Sequence, residues 1–240
     1  MVDVRPHSAE APAAAPLPRW TAVLPGLLAA VGFAVPVTLL ALVVRGKVSG
    51  LAELDQRAIT AATSLTRQHP ALLSALKTWE TALQPLPVYV VATVVCLLVW
   101  WRGGLRSRAV WAFLTMMVAW NIALDLKYVV QRVRPVVDDP VSSAPGYSFP
   151  SGHVANAAAA CTAVTILLWP LLRSSTARAT VVVLAGVVVV LTVLDRVFLG
   201  VHFPTDTVAG VLVGCGLVLS SFLGYRGASR RRHDTEAEHE

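Results

Sequence analysis

The sequence predicts an all-α integral membrane protein: a six-transmembrane-helix bundle with short amphipathic helices between spans 1 and 2. Three observations predict it. Of the 240 residues, 55% are hydrophobic and only 14% are charged, whereas a soluble domain carries charge at roughly a quarter of its positions. Mean hydropathy is +0.64. The apolar residues also fall into six runs, each close to the ~20 residues needed to cross a bilayer.

Residues 1–20 are rich in Ala and Pro and lack an apolar period, so they are expected to form a disordered tail. The run Thr21 to Val44 is too long for the core of a signal peptide and is followed by no small-residue cleavage site, so it reads as a retained span. Gly46 to Gln84 differs. Leu51, Leu54, Ala58, Ala62 and Leu65 recur at helical spacing, with Glu53, Asp55, Gln56 and Arg57 between them. After His69-Pro70, Leu72, Leu73, Leu76 and Leu83 share one side. Two amphipathic helices on the membrane surface or capping the bundle account for this pattern, with a soluble binding loop as the alternative.

Five further runs follow: Leu86 to Trp101, Ala109 to Leu126, Val154 to Leu172, Thr180 to Leu194, and Thr207 to Leu223. Gly210 with Gly214, and Ala155 with Ala157 to Ala160, are seams of small residues that let membrane helices approach closely. A charged tail covers 225–240, which leaves 21–224 as one membrane domain. Cys96, Cys161 and Cys215 each lie inside an apolar run and read as small buried hydrophobes.

The net charge of +6 does not imply nucleic acid, because the basic residues stand at the ends of apolar runs. Six spans place both termini on one side. That side holds Arg5, Arg19, Arg102, Arg106, Arg108, Arg173, Arg178, Arg226 and Arg230 to Arg232. By the positive-inside rule it is cytoplasmic, with Trp100, Trp101, Trp111 and Trp169 as its aromatic belt. The loops Lys127 to His153 and Asp195 to Asp206 then share the outward face. An Ala/Val/Arg-rich composition with only Lys47, Lys77 and Lys127 as lysines points, by association, to a bacterium, and so to its cytoplasmic membrane.

Those two loops are the most polar of the chain. The first opens with Lys127, Arg132 and Arg134, cations that orientation does not require on this side and that suit a phosphate. It ends with Pro150-Ser151-Gly152-His153 at the start of a span, where free backbone N–H groups favour an anion. An ordinary Ser-capped helix would carry the same residues. The second loop holds Arg196, with His202 and Asp206 four apart. A carboxylate that holds one imidazole nitrogen leaves the other free to attack. If the following helix starts at Pro204, His202 stands just ahead of it and a hydrogen bond to Asp206 is still within reach. No set of carboxylates suits Mg²⁺ and no Cys/His set suits Zn²⁺, so no metal and no cofactor is expected.

These pieces resemble the three signature motifs of the type 2 phosphatidic acid phosphatase (PAP2) family, membrane lipid phosphatases related to vanadium haloperoxidases. Lys127 and Arg134-Pro135 match the first motif, with six residues between Lys and Arg. Pro150 to His153 match the second, and Arg196, His202 and Asp206 the third. The family has Ser before that arginine where this chain has Asp195, which adds negative charge near the phosphate site. The resemblance implies that His202 attacks phosphorus and forms a phosphohistidine, oriented by Asp206. It implies that His153 protonates the leaving oxygen and then activates water. It assigns Lys127, Arg134, Ser151, Gly152 and Arg196 to the phosphoryl oxygens. Arg132, Asp138 and Asp139 have no motif role and read as loop solubility or headgroup contact.

The expected function is metal-independent hydrolysis of a lipid phosphate from the outer side. Polyprenyl diphosphate comes first among the substrates, ahead of phosphatidylglycerol phosphate and phosphatidic acid. A lipid phosphotransferase using the same site, and a non-catalytic lipid-phosphate binding or transport protein, are the alternatives. The expected partners are the lipid substrate and the membrane, with no nucleic acid; a homo-oligomer stays open.

Overall fold

A computed structural model describes residues 19–137 and 140–237. The tail expected at the N-terminus therefore lies almost wholly outside the described residues, as do Asp138 and Asp139. Among the described residues, eight α-helices follow a short 3-10 turn at Arg19–Ala22: α1 (Leu24–Arg45), α2 (Ser49–Gln68), α3 (Pro70–Ala82), α4 (Pro85–Arg102), α5 (Arg106–Val130), α6 (Gly152–Leu168), α7 (Ser175–Phe198) and α8 (Pro204–Ala237). Six are long and apolar enough to cross a membrane: α1, α4, α5, α6 with the 3-10 turn after it, α7 and α8. They match the six predicted runs. The charged stretch from 225 continues α8 as helix to Ala237.

Local chemistry explains the helix starts. Proline stands in the first turns of α1, α3 and α4, and Pro204 opens α8, at positions where no intrahelical N–H bond is lost. Ser174 caps α7 by accepting the Ala177 N–H at 3.1 Å. Between α7 and α8 the chain turns through Gly200 at φ +73, beneath the Thr63 side chain. A Cβ there would come within 2.6 Å of the Thr63 methyl, so both the left-handed backbone and the close approach require glycine.

Among the spans, α6 is the most enclosed, with α4, α5, α7 and α8 around it. Its alanines 157 to 160 are buried. Across from them, a Cβ on Gly214 would clash with the Ala155 carbonyl oxygen, so α6 and α8 touch backbone to backbone. This is the small-residue packing read from the sequence. Gly214→Val is expected to lose about 1–3 kcal/mol of stability or more, the usual cost of overpacking, measured as a lower unfolding temperature in detergent.

Helices α2 and α3 pack across the site end of α7. Thr66 Oγ1 donates to the Phe198 carbonyl at 2.9 Å, and Trp79 Nε1 donates to Thr192 Oγ1 at 3.2 Å. The orientation of α2 corrects the sequence reading. Its buried face is Asp55, Ile59, Ala62, Thr63 and Thr66, while Leu54 and Leu65 of the expected apolar stripe are exposed. The cause is polar: Asp55 has partners inside the bundle. Leucines facing outward cost little where the surroundings are lipid.

Candidate active site

Topology brings the end of α5, the start of α6, the end of α7 and the start of α8 to one end of the bundle. The three polar segments are then laced together. Lys127, near the end of α5, donates to the carbonyls of Tyr147 and Pro150, both at 2.9 Å. Arg134 donates to the Val201 carbonyl at 2.8 Å and to those of Pro145 and Gly146 at 3.0 and 3.1 Å. The Ser151 N–H donates to the Asp206 carbonyl at 2.9 Å. Every candidate residue from the three motifs therefore sits in one cluster.

His202 lies ahead of α8, as Pro204 foretold, and is 3% exposed. Its Nε2 is 3.1 Å from Arg134 Nη1. A guanidinium only donates, so Nε2 accepts and the imidazole proton belongs on Nδ1. Nδ1 faces Asp206 Oδ2 at 3.6 Å, longer than a hydrogen bond. The same Oδ2 accepts the Phe203 N–H at 3.0 Å. Burial pushes the His202 pKa from 6.5 down to about 4; Asp206 pulls it up, while Arg134 and Lys127 push it further down. His202 is therefore neutral near pH 7.

His153 is in the first turn of α6, within electrostatic reach of Arg196, His202, Lys127 and Arg134. Its Nε2 and Ser151 Oγ are buried with no hydrogen-bond partner among the described residues. Ser151 occupies the N-cap of α6, but its side chain makes no cap bond. Gly152 follows, where a Cβ would stand 3.6 Å from Lys127 Cε. The two imidazoles, one hydroxyl and a helix N-terminus thus share an end of the bundle with the cations.

Arg196 is 1% exposed. Asp195 Oδ2 accepts from its Nε at 2.7 Å and also from Nη2, and Glu80 of α3 accepts from Nη1 at 3.0 Å. The aspartate that replaces the family's serine is therefore the arginine's own ion-pair partner.

Arg132 overturns its sequence reading as a solubility or headgroup residue. Its side chain is 11% exposed and bridges two carboxylates. Nη1 donates to Asp206 Oδ1 at 2.6 Å, Nη2 donates to Asp55 Oδ2 at 2.7 Å, and the guanidinium lies 4.2 Å from the Phe203 ring centroid. Asp55 Oδ1 accepts the Thr205 N–H at 3.2 Å. Asp55 and Glu80 were missed because both stand on amphipathic helices, where a carboxylate reads as a solvated face. The signal for them is the excess of cations on this end of the bundle, which buried counter-charges have to balance.

Fold and site together define a multi-pass helical membrane protein whose histidines and cations gather at one end of the bundle. The chain belongs to the PAP2 superfamily, whose model matches residues 108–230, just over half its length. It is 36% identical over 119 residues to phosphatidylglycerophosphatase B of Bacillus subtilis, covering 47% of this chain and 57% of that protein. It is 36% identical over 122 residues to decaprenylphosphoryl-5-phosphoribose phosphatase of Mycobacterium tuberculosis, covering 48% of this chain and 61% of that protein. The chain thus spans less than two thirds of either relative. A crystal structure of a transmembrane PAP2-type phosphatidylglycerolphosphate phosphatase from Bacillus subtilis superposes with a TM-score of 0.68 at 26% identity, covering 80% of this chain and 94% of that one.

Proposed function

We propose that the protein is a lipid phosphate phosphatase acting through a phosphohistidine, from the outward face of a bacterial cytoplasmic membrane. The observation that carries this is His202: a neutral, buried imidazole with Nε2 turned to Arg134 and Nδ1 turned to Asp206. Binding alone needs no such carboxylate behind a histidine. Arg134 Nη1 passes its hydrogen bond from Nε2 to a phosphoryl oxygen, the freed Nε2 lone pair attacks phosphorus and the P–O bond to the lipid breaks. Asp206 offsets the charge that grows on the imidazole. His153, whose Nε2 is buried with no hydrogen-bond partner among the described residues, gives its proton to the leaving lipid oxygen. It then takes a proton from water as that water attacks the phosphohistidine, which returns His202 and releases inorganic phosphate. Lys127, Arg134, Arg196, Ser151 and the Gly152 end of α6 face the phosphoryl oxygens, so positioning and charge do most of the work. No metal or cofactor takes part in this scheme.

The lipid is polyprenyl diphosphate, phosphatidylglycerol phosphate or phosphatidic acid. A site at the membrane surface suits each, since the tail stays in lipid. The test is phosphate release in detergent from all three, with kcat/KM compared, no added alcohol, and EDTA present. Release that survives EDTA supports the reading. Loss with EDTA and rescue by a divalent ion would count against it, and phosphate appearing only on an added alcohol acceptor would make the protein a phosphotransferase.

The pH profile supplies a second test. Only the neutral form of His202 attacks, and its pKa is near 4. The acid limb of kcat/KM set by this group is expected near pH 4, not near 6.5. Stability follows the same sign: the unfolded chain takes up the proton near 6.5 and the folded chain resists until about 4. This contribution to stability is fully present above pH 6.5 and is lost as pH falls toward 4.

A further inference from the structure

Beside the histidine cluster lies a cavity of about 460 Å³ between the end of α1, the start of α2 and the loop after α5. It is lined by Arg134 and Phe203, the neighbours of His202, and by Arg45 and Lys47, together with aliphatic Val48 and Val133. At this end of the bundle, Arg57, Lys77, Arg132 and Arg196 each face a carboxylate. Arg45 and Lys47 face none among the described residues; Arg45 Nη1 instead donates to the Val129 carbonyl at 3.3 Å, which braces it against α5. Lys47, at φ +50, and Gln131, at φ +53, are the only non-glycine residues with positive φ among those described, and both line this cavity. Leu42 of α1 and Val129 of α5, next in sequence to the lining residues Val43 and Val130, are exposed.

We propose that this cavity binds a second phosphate of the lipid headgroup, held by Arg45 and Lys47. Arg134 belongs to both spaces: it lines the cavity and touches His202. A phosphate seated at Arg45 and Lys47 is therefore a spacer away from the phosphorus at His202. The chemistry that fits is a lipid whose phosphodiester is joined through a short polyol to a terminal phosphomonoester. Of the three candidate lipids, phosphatidylglycerol phosphate has this form. The two phosphates of a diphosphate share an oxygen and cannot span both places, and phosphatidic acid has a single phosphate. This inference rests on the proposed function and narrows its substrate.

The experiment uses the full chain in neutral detergent, with Arg45→Gln, Lys47→Gln and the double variant. Each single change is expected to lower kcat/KM for phosphatidylglycerol phosphate about tenfold, the scale of one charge-assisted contact. Turnover of phosphatidic acid with the same acyl chains changes less than threefold. Equal losses on both lipids, or none on either, overturn the proposal. Two further arms separate other sources of the anion. If oleate, an anionic lipid with no phosphate, alters phosphatidic acid turnover in the wild type but not in the double variant, the cavity serves bulk anionic lipid. If the double variant resists inhibition by inorganic phosphate, it serves the free ion. Either result overturns the proposal. A binding arm on the His202→Ala background does not depend on turnover: phosphatidylglycerol phosphate raises the unfolding temperature more than phosphatidic acid does, and the double change removes the difference. Absence of that difference sinks the cavity assignment, whereas wild-type inactivity on all three lipids sinks the proposed function instead.

Discussion

His202→Ala is expected to reduce phosphate release by about 10³-fold or more, the scale seen when a covalent nucleophile is removed. The argument is geometric. Nε2 is the accepting nitrogen, Asp206 stands behind Nδ1, and the ring is fixed by burial among its own loop, Arg134 and α8. Alanine takes away the only group that forms the bond to phosphorus in the scheme. Lys127 and Arg134 keep their carbonyl anchors, which involve no His202 atom, so the folded protein survives. The measurement is single-turnover phosphate release, with the unfolding temperature as a control. Activity unchanged in a folded variant would end the phosphohistidine assignment.

Arg132→Ala is the second large effect, and it strikes stability as well as rate. Arg132 neutralises Asp55 and Asp206, both almost fully buried. Truncation leaves two buried carboxylates without their counter-charge, with only the Thr205 donors on Asp55 and the Phe203 N–H on Asp206 remaining, and breaking a buried ion pair costs about 3–5 kcal/mol. It also frees Asp206 Oδ1, so the carboxylate behind His202 loses its brace. A lowered unfolding temperature together with a fall in kcat of about 10² is expected, the scale of a displaced positioning group. Arg132→Lys restores charge but cannot reach both carboxylates with a planar fork, so it recovers stability more than rate. A variant with native stability and native kcat would show that the bridge is dispensable.

Arg132 also marks what the sequence could and could not reveal. The six spans were legible because a bilayer demands long apolar runs, and the run boundaries fall within a few residues of the helices. The motif residues were legible because charge is costly between such runs, so Lys127, Arg134, Arg196, His202 and Asp206 stand out. Arg132 stands out equally, yet its role depends on a partner 77 residues away on α2. Periodicity assigned Asp55 to a wet face because the leucine stripe on α2 appeared to be the buried one. In a membrane-bound helix either face can be apolar toward its surroundings, so amphipathicity alone does not say which side packs inward. Glu80 was hidden for the same reason.

The lacing of Arg196 has a kinetic consequence. Lys127, Arg132, Arg134 and Arg196 share the cluster with Asp55, Glu80, Asp195 and Asp206. Such a balanced centre casts little field into solution. On the proposed reaction, substrate is gathered by two-dimensional diffusion in the leaflet and not by attraction from afar. Turnover of a substrate with a single phosphate then tolerates salt, whereas one that also engages Arg45 and Lys47 is more sensitive to it.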